Sequence, residues 1–138
     1  MKIEIRNIDL SKVITFLENE NFKGLKSVNR SKVTNYLREQ LETVVEGEKT
    51  IRKDGKDKPE QWLDQELKAY FDETVTVEGG NFIKPLNVVK AKIKELASEE
   101  CEQEFSGDDA YALSVLYDAF QIDEEKGEDV NESDNNGN

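Results

Sequence analysis

The sequence predicts an α+β domain that is mostly helical, with about five helices, a small antiparallel β-sheet and a disordered acidic C-terminal tail. Three observations predict it. Apolar residues recur at helical spacing in five separate segments. Two short stretches, residues 2–8 and 74–83, alternate with a period of two. The closing DEEKGEDVNESDNNGN carries one apolar residue, Val130. A compact domain over residues 1–121 and a tail over 122–138 follow.

In KIEIRNI, residues 2–8, Ile3 and Ile5 point one way and Lys2, Glu4 and Arg6 the other, the pattern of a half-buried strand. Asp9 stands where an N-cap belongs. Leu10, Val13, Ile14 and Leu17 then follow at i, i+3, i+4, i+7, an amphipathic helix ending near Asn19. Gly24 permits a turn, and Leu25 and Val28 are expected to tuck that turn against the core. Asn29 is a plausible cap for a second helix from Arg30 to about Lys53. Its stripe is Val33, Leu37, Leu41, Val44 and Val45, with Tyr36 at the edge, and Gly47 is a potential break at about 1 kcal/mol relative to Ala.

DGKDKPE, residues 54–60, reads as a loop, and Pro59 fits the first turn of a third helix, where its missing N–H is not needed. Trp62, Leu63, Leu67, Tyr70 and Phe71 give that helix the heaviest apolar face, and it should stop near Asp72. Val75 and Val77 alternate with Thr74, Thr76 and Glu78, and Gly79-Gly80 suits a hairpin turn. Residues 74–78 are expected to pair with residues 2–6 or with 81–83, and Pro85 to end any strand. Leu86, Val89, Ile93, Leu96 and Ala97 carry a fourth helix, extendable to Phe105. Ser106 and Asp109 resemble a capping box ahead of a fifth helix with Ala110, Leu113, Leu116, Tyr117 and Phe120. The expected core is Val33, Leu37, Leu41, Trp62, Leu67, Phe71, Leu113, Leu116 and Phe120.

At 138 residues the chain fits one domain able to bury about 68% of its unfolded surface. The opening MKIEIRNIDL is charged every few residues and no apolar run approaches the ~18 residues of a membrane span, so neither a signal peptide nor membrane insertion is expected. Net charge is −12 and unevenly spread: residues 1–60 sum to +2 and residues 61–138 to −14. That balance opposes direct nucleic-acid binding, in which phosphate contacts supply most of the affinity.

The chain has no His, which removes the usual neutral-pH base and the common zinc ligand. The lone Cys101 excludes an internal disulfide. It sits among Glu99, Glu100, Glu102 and Glu104, anions that disfavour a thiolate. Asp54-Gly55-Lys56-Asp57 lacks the ligand order of a calcium loop, and Gly79-Gly80 lacks the lysine and serine of a phosphate loop. No catalytic residue, cofactor or metal site is expected.

Two segments remain as candidate surfaces. Asn21–Arg38 holds Lys23, Lys26, Arg30, Lys32 and Arg38 and no acid. It reads either as a solvated turn or as a docking edge for an acidic partner. Glu95–Asp109 holds Glu95, Glu99, Glu100, Glu102, Glu104, Asp108 and Asp109 and no Lys or Arg. It reads either as a solvated helix face or as a row of carboxylates about 5–6 Å apart on successive turns, spaced like phosphates along a strand.

The opening lysine-bearing strand, KGLKSVNRSK at residues 23–32, EGG at 78–80 and the closing GDDAYAL helix together resemble a family of small phage and prophage proteins from phages of Gram-positive bacteria, classed as a domain of unknown function. The resemblance covers residues 1 to about 121, implies a phage origin and implies no catalytic residues. The expected function is that of a non-enzymatic phage accessory protein acting by protein–protein binding in the cytoplasm of the infected host cell. Its acidic face would engage a basic protein surface, as an anti-defence inhibitor of a host defence or nucleic-acid-binding enzyme. A homo-oligomer is compatible with this. The alternative is a virion-associated or tail-assembly component; a third reading is a carboxylate enzyme or metal binder.

Overall fold

The computed structural model describes residues 1–124; the expected acidic tail lies, from residue 125 on, outside the described residues. The strand β1 (Lys2–Arg6) pairs antiparallel with β2 (Thr74–Glu78), Lys2 opposite Glu78 and Arg6 opposite Thr74. The inner face of this two-stranded sheet buries Ile3, Ile5, Val75 and Val77. Of the two pairings open to residues 74–78, the long-range one forms. Ile3 and Ile5 offer Val75 and Val77 an alternating apolar face, whereas Asn81–Ile83 does not. The hairpin expected at Gly79-Gly80 is absent: Gly79, at φ 108°, leads into a 3-10 turn, Gly80–Phe82, and straight into a helix.

A 3-10 turn, Asn7–Asp9, follows β1 and runs into α1 (Leu10–Asn19). Leu10, Val13, Ile14, Phe16 and Leu17 are buried on α1, and the helix packs against α2 (Leu25–Asp54) and α5 (Gly107–Ala119). At 30 residues α2 is about 45 Å long. It starts at Leu25 rather than Arg30. Gly24, at φ 52°, makes the turn, and the Ser27 hydroxyl donates to the Gly24 carbonyl at 2.7 Å. Asn29 is therefore inside the helix, buried, with Nδ2 donating back to the Leu25 carbonyl at 3.2 Å. Leu25 and Val28 do not tuck inward; they are 76% and 50% exposed.

Gly47 does not break α2, and its missing Cβ makes room for Tyr70. The Tyr70 ring lies against it, with Cζ 2.7 Å from where a Cβ would stand, and the Tyr70 hydroxyl donates to the Val44 carbonyl at 3.0 Å. Burial, with the charges of Glu73 and Glu48, pushes the Tyr70 phenol up from its ordinary pKa. Of the expected stripe, Val33, Leu37 and Val44 are buried, Leu41 is half-buried and Val45 exposed. Tyr36 sits at the edge, its hydroxyl donating to the Thr76 carbonyl of β2 at 3.1 Å.

The third helix, α3 (Glu60–Asp72), has Pro59 just ahead of it, with the Pro59 carbonyl accepting from the amides of Trp62 and Leu63. Only Leu67 of its apolar face is buried; Trp62, Leu63, Tyr70 and Phe71 are half-buried. The cause is position. This helix packs on α2 and on the turn after β1, at the side of the molecule. The expected core residues Trp62, Phe71, Leu41 and Leu113 are thus peripheral, whereas Val33, Leu37, Leu67, Leu116 and Phe120 are buried. The centre is built from smaller side chains of β1, α1 and α4 (Ile83–Leu96): Ile3, Ile5, Leu10, Val13, Leu17, Leu86, Val89 and Ile93, with Phe16.

Pro85 ends no strand; it lies in the first turn of α4, where a missing N–H is tolerated. The helix α4 stops at Leu96, and the extension to Phe105 does not occur: residues 97–105 are turn and irregular chain. Neither expected side-chain cap forms. Asp9 and Ser106 hold the cap positions of α1 and α5 without a side-chain cap bond. Ile122, the first residue assigned by sequence to the tail, is 5% exposed and belongs to the core cluster.

One side chain joins the first two long helices. Arg30 Nη1 donates to the carbonyls of Leu17 at 2.6 Å and Glu20 at 3.0 Å, satisfying the C-terminal end of α1. Arg30→Ala is expected to lower unfolding free energy by about 1 kcal/mol, measurable by denaturant titration, with no change in helix content.

Candidate functional site

The basic connector divides into two groups. Arg30 caps α1 and its guanidinium lies 5.0 Å from the Phe22 ring centroid; Arg38 pairs with Glu18 and also approaches Asn35 Oδ1 at 3.4 Å. Those two arginines hold α1 to α2. Lys23, Lys26 and Lys32 are exposed and make no ion pair among the described residues. In the same segment Leu25 and Val28 begin a solvent-facing stripe of α2 that continues through Lys32 and Asn35. The start of α2 thus exposes two apolar side chains in a stretch of chain that also exposes three lysines.

The acidic segment is not one helix face. Glu95 is in the last turn of α4; Glu99, Glu100, Glu102 and Glu104 lie on the irregular connector; Asp108 and Asp109 open α5. The regular phosphate-like spacing expected of a single helix is therefore lost. All seven carboxylates are exposed. Glu95 pairs with Lys92 at 3.5 Å and Asp108 with Lys12 at 3.7 Å. Glu99, Glu100, Glu102, Glu104 and Asp109 make no ion pair among the described residues.

Folding brings the two candidate segments to the same end of the molecule. Gln103 Nε2 donates to Glu20 Oε1 at 3.0 Å, and the Phe105 ring packs 5.9 Å from that of Phe16. Lys92 Nζ lies 5.2 Å from the Phe22 ring centroid. The acidic connector thus runs beside the end of α1 and the turn into α2. Cys101 is half-buried there, with Sγ 3.9 Å from the Gln103 carbonyl oxygen. A hollow of about 380 Å³ borders the acidic connector, lined by Ser98, Glu99, Tyr117 and Ile122 among others. Tyr117 donates to Asp123 Oδ1 at 2.5 Å, a bond that raises the phenol's pKa.

A second region was not legible in the sequence. An open groove of about 1010 Å³ runs between β1 and α5, lined by Lys2, Glu4 and Arg6 on one side and Tyr111, Val115 and Asp118 on the other. Its end is closed by a polar cluster. The Asp9 side chain is buried; it accepts from Arg6 Nε at 3.2 Å and from the Tyr111 hydroxyl at 2.5 Å. Arg6 also donates to Tyr111 at 3.1 Å and to Asp72 at 3.3 Å. The bond to Asp9, followed by that to Tyr111, holds the Arg6 guanidinium pKa above its ordinary value. Arg6 and Asp9 three residues apart were a local signal; Tyr111, 102 residues from Asp9, had none. The cluster fastens β1, the 3-10 turn after it, α3 and α5 together, and among the described residues no buried side-chain nitrogen or oxygen lacks a partner.

Among the described residues no group of three or more His, Cys, Asp or Glu could hold a metal ion, and no helix is long and apolar enough to cross a membrane. No protein-family model, curated protein or solved structure matches this chain.

Proposed function

We propose that this chain is a non-enzymatic accessory protein that works by binding another protein, and that it docks through the start of α2. One observation carries the reading: Leu25, at 76% exposure, and Val28, at 50%, stand in solvent in the same short segment as the exposed Lys23, Lys26 and Lys32. Leu25 alone would gain about 1.5–3 kcal/mol from full burial against a partner. The unpaired lysines supply steering toward an acidic rim. The partner is a protein with an apolar depression bordered by carboxylates. The resemblance to small phage proteins supplies the setting, an infected bacterial cell.

A second reading is favoured by the five unpaired carboxylates of the connector and α5, which would suit a basic surface as an inhibitor does. Charge reversal separates the two. Lys23→Glu with Lys26→Glu and Lys32→Glu abolishes binding in the first reading. Glu99→Lys with Glu102→Lys abolishes it in the second. A virion or assembly role predicts a high-order ring on gel filtration or presence in purified particles, which the proposed function does not.

Leu25→Asp with Val28→Asp is expected to leave stability within about 0.5 kcal/mol, as exposed substitutions do. The same pair removes partner binding, read by co-purification with a tagged chain from host cells. Binding that survives this pair overturns the assignment.

A further inference from the structure

The register of the small sheet fixes which backbone groups of β1 face outward. Asn7 and Glu73 share the parity of the Ile3–Val77 and Ile5–Val75 pairs, and the Asn7 N–H donates to the Glu73 carbonyl at 2.8 Å. In an antiparallel ladder, hydrogen-bonded and non-hydrogen-bonded pairs alternate. Ile3 and Ile5 therefore spend their amides and carbonyls on β2, and those of Lys2 and Glu4 point away from it. The same parity turns the Thr76 carbonyl away from β1, toward the Tyr36 hydroxyl of α2 that donates to it. One edge of the sheet is thus met by α2. The other is open: among the described residues, no hydrogen bond reaches the outward main-chain groups of Lys2 or Glu4, and both residues line the large groove. An open edge is a template for a further strand.

The charges of β1 itself select that further strand. Two copies of one chain pair about a two-fold axis, so β1 would meet β1 antiparallel. The free main-chain groups lie on even-numbered residues. Even-numbered residues must therefore face one another, and the axis passes through a residue rather than between two. With the axis at Lys2, Lys2 faces Lys2. With the axis at Glu4, Glu4 faces Glu4 and Lys2 faces Arg6. With the axis at Ile5, Glu4 faces Arg6, whose guanidinium is already held by Asp9, Asp72 and Tyr111. With the axis at Ile3, each Lys2 faces the Glu4 of the other copy. Unlike charges directly opposed stabilise a strand pair and like charges destabilise it. The register that uses the free amides and the register that pairs the free charges are therefore the same.

We infer that β1 pairs with β1 of a second copy of this chain, antiparallel about Ile3, joining the two small sheets into one in the order β2, β1, β1, β2. Lys2 and Glu4 already lie side by side within the strand, Nζ to Oε1 3.9 Å, both side chains more than half exposed. Pairing about Ile3 sets them in a block of charges in which every nearest neighbour has the opposite sign. A strand from another protein would have to bring this pattern, whereas a second copy carries it. This surface is separate from the start of α2 and does not rest on the function proposed there.

The test uses the full chain. Sedimentation equilibrium from micromolar to millimolar concentration should show a monomer–dimer equilibrium. Main-chain amide exchange, followed by NMR, should slow at Lys2 and Glu4 as the dimer fills, whereas Ile3 and Ile5, already bonded to β2, are slow throughout. Lys2→Glu alone or Glu4→Lys alone sets like charges opposite on both sides of the axis, and each should weaken the dimer about tenfold or more. Both side chains are exposed, so the fold tolerates the changes. Mixing the two single variants restores unlike charges across the axis, as does Lys2→Glu with Glu4→Lys in one chain. Both should recover the parent affinity to within about threefold. Net attraction cannot imitate the mixture, because both single variants remain strongly acidic. Four results overturn the proposal: a monomer at every concentration, which leaves the edge to a segment of another protein; amides of Lys2 and Glu4 protected independently of concentration, meaning that the chain's own residues cover the edge; a dimer indifferent to both single reversals, which places the contact on another face; and a dimer lost in the single variants but not regained by mixing them.

Discussion

Phe16→Ala is expected to cost about 3–5 kcal/mol, the largest loss of any single substitution considered for this fold. Phe16 is 1% exposed and is the largest fully buried side chain. Its ring packs 5.9 Å from Phe105, so it holds two things at once, the centre of the core and the connector that carries Glu99 to Glu104. Truncation leaves a cavity that the tightly packed α1 cannot collapse around. Chemical denaturation should show the loss, and amide exchange should show residues 97–105 opening more readily than α2. Phe105→Ala removes the same ring pair from the half-buried side and should cost less while freeing the connector equally. Equal stability of Phe16→Ala and the parent would mean that the connector and the α1 face do not meet as described.

Gly47→Ala separates helix propensity from packing by the sign of its effect. Propensity alone predicts a gain of about 1 kcal/mol, because Ala is the better helix former. Here the new Cβ would stand 2.7 Å from Tyr70 Cζ, and still closer to the hydroxyl. The ring must retreat and release the Val44 carbonyl it now satisfies. A net loss of about 1–3 kcal/mol is expected. Tyr70→Leu in the same chain removes the obstruction, so the double variant should be more stable than the sum of the single effects. That coupling, measured in a double-mutant cycle, is the readout; additive effects would place Tyr70 elsewhere.

These two residues also show where sequence reading reached and where it stopped. The period of 3.6 placed five helices and the period of two placed both strands, because each pattern repeats within a single element. Gly47 looked like a break since its reason, a tyrosine on another helix, is 23 residues away in sequence and invisible to local pattern. Trp62 and Phe71 looked central because they are large; the core instead formed where β1, α1 and α4 converge, around Ile and Val. The acidic run read as one helix because nothing in Ser98–Phe105 is a strong breaker, yet the chain bends there to reach Glu20 and Phe16. Charge singled out the basic connector, of which Lys23, Lys26 and Lys32 are exposed. Arg30 and Arg38, grouped with them, proved to bind the protein's own helices. The β1–α5 groove could not be read, because it depends on which edge of a two-stranded sheet each helix covers.

The most direct test of the account places a photo-activated cross-linking side chain at Val28, and in a control at Thr50, also exposed and far along the same helix. Both chains are irradiated in host-cell lysate, with and without Lys23→Glu, Lys26→Glu and Lys32→Glu. One discrete protein adduct is expected from position 28, lost on charge reversal and absent from position 50. No adduct, or the same adducts from both positions, would contradict it.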